Sequence, residues 1–284
     1  MTRAPVALVA TMIKFEEKLL LQELERRQVA HERLDDRRLV FGLGGSDDRY
    51  SVVLNRSISQ TRRLQVARLF EAQGIPVVNS SAVVGVCDDK LATSLALAKH
   101  GVPTPPTAVA LSVDAGVEAI ERVGYPAVVK PLHGSGGRTL AKVNDRDAAE
   151  AVLAHKAALS TPQQRVVYAQ EYIEKRGRDI RAAVVGDRVV GAMYRISEGW
   201  ITNTARGSRV EPRPVDAELE AVALAAAAAV GGGAVAVDVV ERPDGTLVVV
   251  EVNSAMEFHG LVEACGTGIV EALIDHVLEA AASR

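Results

Sequence analysis

Cysteine is nearly absent from this chain. Cys87 and Cys265 are the only two in 284 residues, they stand far apart, and neither has metal-ligand spacing around it. Neither a disulfide framework nor a zinc site is indicated. No apolar run reaches the length of a membrane-spanning helix, which needs about 20 residues. The opening stretch MTRAPVALVA is short for a signal peptide and runs straight into Lys14, Glu16, Glu17 and Lys18, so the expected setting is the cytoplasm. A net charge of −3 leaves no footprint for nucleic acid or an anionic membrane. Internal repeats and a disordered tail are missing as well. What remains is an ordinary soluble composition, 48% apolar, with enough core for two or three compact units.

The first third reads as α/β. VALVA is a strand followed by the helical spacing of FEEKLLLQELERRQ. Asn55 to Gln73 reads as a second helix stopped by Gly74, IPVVN as a short strand, and DDKLATSLALAKHG as a helix ended by Gly101. VPTPPTAVAL is a stiff connector into a strand, and GYPAVVKP and RTLAKVN are strands around LHGSGG. From Val166 onward strands dominate: VVYAQEYI, DIRAAVV, RVVGAMYRI and WITNT. An alanine-rich helix after Asp216 then stops at Gly231, Gly232 and Gly233. The expected divisions are 1–86, 87–168 and 169–284.

Two stretches carry chemistry. In AVAVDVVERPDGTLVVVEVN a two-residue Asp244-Gly245 turn would set Asp238 opposite Glu251, with Asn253 on the same side by the period of two. Two carboxylates and a carboxamide on one face form an all-oxygen ligand set suited to Mg²⁺ or Mn²⁺. In KPLHGSGGR, Gly134, Gly136 and Gly137 let backbone N–H groups approach an anion on either side of Ser135, while Lys130 and Arg138 add charge. This stretch is neither a Walker A loop nor a dinucleotide fingerprint. FGLGGSDD, by contrast, reads as a plain loop. No Ser-His-Asp or Cys-His set stands out.

The order of the pieces DDKLATSLALAKHGVPTP, GYPAVVKPLHGSGGR, AQEYIEKRGRDIR, YRISEGWITNTARG, VAVDVVE and VEVNSAMEF resembles the ATP-grasp carboxylate–amine ligases. The similarity runs from about Asn55 to the C-terminus. It lies within the RimK-like branch, nearest the LysX type that acts on a LysW carrier, and ITNTARG and EVNSAMEF are its most specific parts. The resemblance implies an ATP-grasp fold, α/β and α+β, with an N-terminal α/β (pre-ATP-grasp) domain and two α+β subdomains clasping ATP. By the same resemblance Lys90 and Lys130 hold phosphates beneath the glycine loop. Gln170, Glu171, Tyr172 and Ile173 border adenine, Asp179 is placed for the ribose, and Asp238, Glu251 and Asn253 hold magnesium. Arg181, Arg195, Asn203 and Arg206 surround the reacting carboxylates, Arg181 also counting with the nucleotide side. Thr204, Glu257 and Phe258 border the acceptor. The implied partners are an acidic amino acid and a small acidic LysW-like carrier protein, in a homodimer or homotetramer.

Gly136, Ser208 and His259 depart from the family pattern, in which an aromatic residue, a second glycine and a lysine are common there. The departure at His259 bears on which amino acid is accepted. The expected reaction is ATP-dependent amide formation through an acyl phosphate, joining 2-aminoadipate or a related acidic amino acid to the carrier's C-terminal glutamate. The rivals are glutamate ligation to a carrier in arginine synthesis, glutamylation of a protein tail, a non-catalytic nucleotide-binding protein and a metal-dependent hydrolase.

Overall fold

In the computed structural model, which describes residues 4–46, 48–134, 139–204 and 207–283, the chain builds three sheets. The first is parallel. Its strands are β1 (Val6–Val9), β2 (His31–Leu34), β3 (Val52–Asn55) and β4 (Val77–Val78), in the order β2-β1-β3-β4. The helix expected from Asn55 begins later, at Gln60. Asn55 is the reason: its Nδ2 donates to Arg63 O at 2.9 Å and its Oδ1 accepts from Ser57 N–H at 3.2 Å. A side chain bonding its own local backbone ends the strand and delays the helix until Ser59 can cap it.

The second sheet is antiparallel. It comprises β5 (Thr107–Ala110), β6 (Ala127–Lys130), β7 (Ala141–Val143) and β8 (Val167–Glu171), ordered β5-β8-β6-β7. Helices Gly116–Val123 and Arg146–Ala157 give it a core of its own around Ile120, Leu153, Val129 and Val167. Because β8 belongs to this sheet through Glu171, the division expected after residue 168 passes through a strand.

The third sheet holds β9 (Arg178–Val185), β10 (Arg188–Ile196), β11 (Arg209–Pro212), β12 (Ala234–Glu241) and β13 (Leu247–Asn253), in the order β11-β10-β9-β12-β13. WITNT, expected as a strand, is irregular, and the edge strand forms at Arg209 instead. There the Thr202 hydroxyl bonds Asp179 and the Asn203 N–H donates to Ser208 Oγ at 2.8 Å, so these groups serve the loop rather than a ladder.

One face of this sheet packs Ile180, Val237 and Val249 against Leu219, Ala223 and Ala226 of the helix Ala217–Ala229. The other face changes character along its length. At one end Ala183, Val185, Ala234 and Ala236 join the helix Gly268–Ala282 and β1 and β3 in a single core. At the other end the same alternation presents charged side chains. Among the described residues no helix is long and apolar enough to cross a membrane.

Candidate functional site

Every second residue on that charged end is ionic. Arg195 of β10 stands across the ladder from Asp179 of β9, Arg181 of β9 across from Asp238 of β12, and Asp238 across from Glu251 of β13. The cross-strand partners are also the ion pairs. Arg195 forks onto Asp179 at 2.7 and 2.8 Å, and Arg181 forks onto Asp238 at 2.8 and 2.9 Å. Arg195 Nη2 also lies 3.3 Å from Asp238 Oδ2. Such planar, two-point contacts need both partners ionised. Burial pushes the Asp238 carboxyl up, but the guanidiniums of Arg181 and Arg195 outweigh it and hold the group at about 2. Burial likewise opposes the Arg195 charge, and the two acids beside it more than restore it.

Glu251 reaches this face through an irregularity. The hairpin tip is a three-residue loop, not the expected two-residue turn: Arg242 N–H donates to Thr246 O at 2.9 Å, and Gly245 takes φ 94°. That loop alone would pair Asp238 with Val250 and turn Glu251 to the other side. A bulge between Val239 and Asp238 lets Val250 go unpaired, and the Asp238–Glu251 register is restored. Val250 and Glu251 both line the pocket, while Val249 and Val252 stay in the opposite core. Asn253 Nδ2 then sits 3.4 Å from Asp238 Oδ2.

Lysines approach from the middle sheet and from the helix Lys90–Lys99. Lys90 Nζ donates to Glu251 at 2.9 Å and to Gly134 O at 3.0 Å, while its backbone N–H donates to Leu132 O at 3.0 Å. The start of the glycine-rich stretch is thereby stitched to the helix start. Lys130, at the end of β6, donates to Gln170, whose Nε2 donates in turn to Thr107 and Tyr168. Burial drives the Lys130 ammonium down to about 8, against the raising effect of Glu251. An ammonium kept this dry is poised to gain from an arriving anion.

Gln170, Glu171, Tyr172 and Ile173 line the pocket's other wall, with Ile173, Val240 and Val250 forming an apolar floor. The Lys142 ammonium lies 3.6 Å from the Tyr172 ring centre, and Trp200 packs on Tyr172 edge-on at 6.2 Å. Among the expected residues, Lys130, Gln170 to Ile173, Asp179, Arg195, Asn203, Asp238 and Glu251 line one pocket. Arg181 is buried behind Asp238, and Lys90, held by Gly134 O, meets Glu251 from the side. Thr204 is half-buried outside the lining and Glu257 is exposed. Phe258 has no exposed surface and its ring lies under the Arg56 guanidinium, so the residue stands beneath the surface rather than bordering an open site. Ser135, Gly136, Gly137, Arg138 and Arg206 fall outside the described residues.

Several site residues were not expected. Lys175 is half-buried, bonds Thr202 and stands 3.7 Å from Asp179, and desolvation lowers its ammonium below the usual lysine range. Arg242, from the hairpin tip, grips Glu171 with one contact of 3.1 Å and a second, shorter one. Alternating charge in the otherwise apolar RDIRAAVV and AMYRI was the legible sign of the ionic stripe. Nothing local marked Lys175, because EKRGR reads as a solvated loop.

The donor set Asp238, Glu251 and Asn253 suits a hard cation, since all three can offer oxygen from one face and, among the described residues, Lys90 is the cation bonded to Glu251. Among the described residues no group of three or more His, Cys, Asp or Glu competes as a metal site. Trp200, the single tryptophan, lines the pocket beside Tyr172. Titration with ATP is therefore expected to change its emission, and Trp200→Phe to abolish the signal. An unchanged spectrum at saturating ATP would place the nucleotide elsewhere.

Residues 87–277 match the RimK-like ATP-grasp domain family, and residues 6–86 match the LysX preATP-grasp domain family. The chain is 30% identical to a glutamate–LysW ligase ArgX of Sulfurisphaera tokodaii, over 96% of this chain and 98% of that one. It is 32% identical to an alpha-aminoadipate–LysW ligase LysX of Saccharolobus solfataricus, over 94% and 98%. A crystal structure of an ATP-grasp RimK domain protein from Sphaerobacter thermophilus superposes with a TM-score of 0.82 at 30% identity, covering 97% of this chain and all of that one.

Proposed function

Because the chain belongs to the RimK-like ATP-grasp carboxylate–amine ligases, we propose that it joins an acidic amino acid, 2-aminoadipate first among the candidates, to the C-terminal glutamate of a LysW-type carrier protein. The observation that carries this reading is the meeting of Lys90 and Lys130 with Asp238 and Glu251 around one pocket. Cations for phosphates and oxygens for a divalent ion lie side by side, as phosphoryl transfer requires.

In the proposed reaction the γ-phosphoryl group passes to a carboxylate oxygen and ADP departs. The amine then attacks the acyl carbon, loses a proton, and phosphate leaves. Lys130 and Lys90 bind phosphate oxygens, Lys90 exchanging its Glu251 partner for them. Asp238, Glu251 and Asn253 would hold Mg²⁺, which when bound neutralises charge on the transferring group. Arg181 and Arg195 keep Asp238 ionised and aimed, and Asp179 faces the ribose side. Asn203, with Arg206 and Thr204 from the same loop, serves the substrate carboxylates.

ADP release should need a glutamate-ended carrier and an acidic amino acid together, and neither alone should support it. Tested side by side, 2-aminoadipate and glutamate separate the lysine-type from the arginine-type reading, a choice that identities of 32% and 30% leave even. Turnover without any amine would overturn the ligase assignment.

A further inference from the structure

After Asn253 the chain runs through Ser254 to Phe258 into the helix His259–Cys265, and side chains of the N-terminal unit hold its backbone. Asn79 Nδ2 donates to Ser254 O at 2.7 Å. Arg56 Nη1 donates to Met256 O at 2.8 Å. Glu16 Oε1 accepts the N–H groups of Phe258 at 2.7 Å and His259 at 3.1 Å. Arg56 is itself held by Glu17 at 3.0 Å and by Glu16 at 3.5 Å. Asn79, Glu16 and Glu17 are all buried.

This clamp bears on the pocket from two directions. Through Ser254 it fixes the end of β13, where Asn253 stands. Through His259 it fixes the helix whose Gly260 is pressed on β10 and β11: an added Cβ would lie 3.1 Å from Met193 Sδ and 3.3 Å from Val210 Cγ1. Those two strands carry between them the loop of Trp200, Thr202 and Asn203 that lines the pocket. The wall formed by Lys130 and Gln170 belongs to the middle sheet, on the paired strands β6 and β8.

We propose that Glu16, oriented by Arg56, is a positioning residue for the acid- and amine-binding end of the site, so that the N-terminal unit is a working part of it. The inference rests on the ligase reading above. The buried Phe258 N–H and the partly buried His259 N–H lose their acceptor in Glu16→Ala, and the segment shifts. Its apparent KM for the amino acid should rise about tenfold or more, with the ATP dissociation constant, read from Trp200 emission, within about twofold of wild type. Glu16→Gln keeps an oxygen acceptor and should recover most of that loss. Glu17→Gln loosens Arg56, which bonds Met256 O and orients Glu16, so it should raise the amino-acid KM as well, by less than Glu16→Ala does.

Equal KM changes for ATP and amino acid in Glu16→Ala would overturn the proposal. So would unchanged KM values with only a lower Tm, or a larger KM rise in Glu17→Gln than in Glu16→Ala. If the wild-type chain releases no ADP with any acid and amine, the ligase reading fails. The clamp is then judged by hydrogen exchange at the Phe258 and His259 amides: selective acceleration in Glu16→Ala sustains it, and no acceleration removes it.

Discussion

Glu251→Gln is expected to melt within about 2 °C of wild type and to lose ADP release by at least about 100-fold, some 2.7 kcal/mol of transition-state stabilisation. Its side chain is 29% exposed and, among the described residues, its ion pair is with Lys90, so the fold asks little of its charge. Phosphoryl transfer asks more, because an amide oxygen binds a divalent ion without neutralising it. Asp238→Ala makes the contrast. It should lose activity and also about 3–5 kcal/mol of stability, since Arg181 and Arg195 would share a buried site with Asp179 as the remaining acid there. Coupled ADP assays with thermal melts decide both. Near wild-type turnover in Glu251→Gln would remove this residue from the ligand set.

Lys130→Met should remove at least about 100-fold of ADP formation while leaving Tm within about 3 °C of wild type. Two opposing effects cancel in the fold: a dehydrated ammonium disappears, and Gln170 loses the donor to its carbonyl. The pH dependence distinguishes this from a generic loss. The folded-state value is depressed from 10.5 to about 8, so between those values the unfolded chain binds more protons. Wild-type stability should then rise across that window, with the cost of the charged lysine at its full size below about pH 8. Over the same window kcat/KM for ATP should fall as the phosphate-binding charge is lost. Lys130→Met should lack the rise in stability. A Tm that dropped sharply in the variant would mark Lys130 as structural.

The ionic stripe shows how far sequence reading reached. Asp238 and Asn253 were legible because a hairpin with period-two alternation fixes faces without knowledge of the rest of the fold. The pairing of Asp238 with Glu251 was also reached, by way of a two-residue turn where the chain uses a three-residue turn and a compensating bulge. Both routes give the same register at residue 238 and differ nearer the tip. Lys175, Thr202 and Arg242 were out of reach, because each gains its partner from a segment distant along the chain, and loop sequence carries no period from which to infer such a meeting. β3 was missed for the opposite reason. Its last residue, Asn55, reads as the start of a helix whose true start depends on that residue's two local hydrogen bonds, and Val52 to Leu54 carry no assignment.

The apolar residues Leu8, Leu20 and Leu54 of the first unit lie in the same core as Ala183, Met193 and Ile274 of the last, whereas Ile120 and Leu153 of the middle sheet have a separate one. Mechanically the molecule is thus a frame and a jaw, although the chain visits the frame, the jaw and the frame again. Sliding the first sheet past the third would tear a continuous close-packed interior. Moving the middle sheet tears no shared apolar core; it disturbs polar contacts such as Ser94–Tyr168 and Lys90–Leu132 and the two short connectors, 103–106 and 172–177, that lead into and out of it. Any change in the gape of the pocket has to be taken up there, and the ionic stripe stays with the frame while Lys130 travels with the jaw.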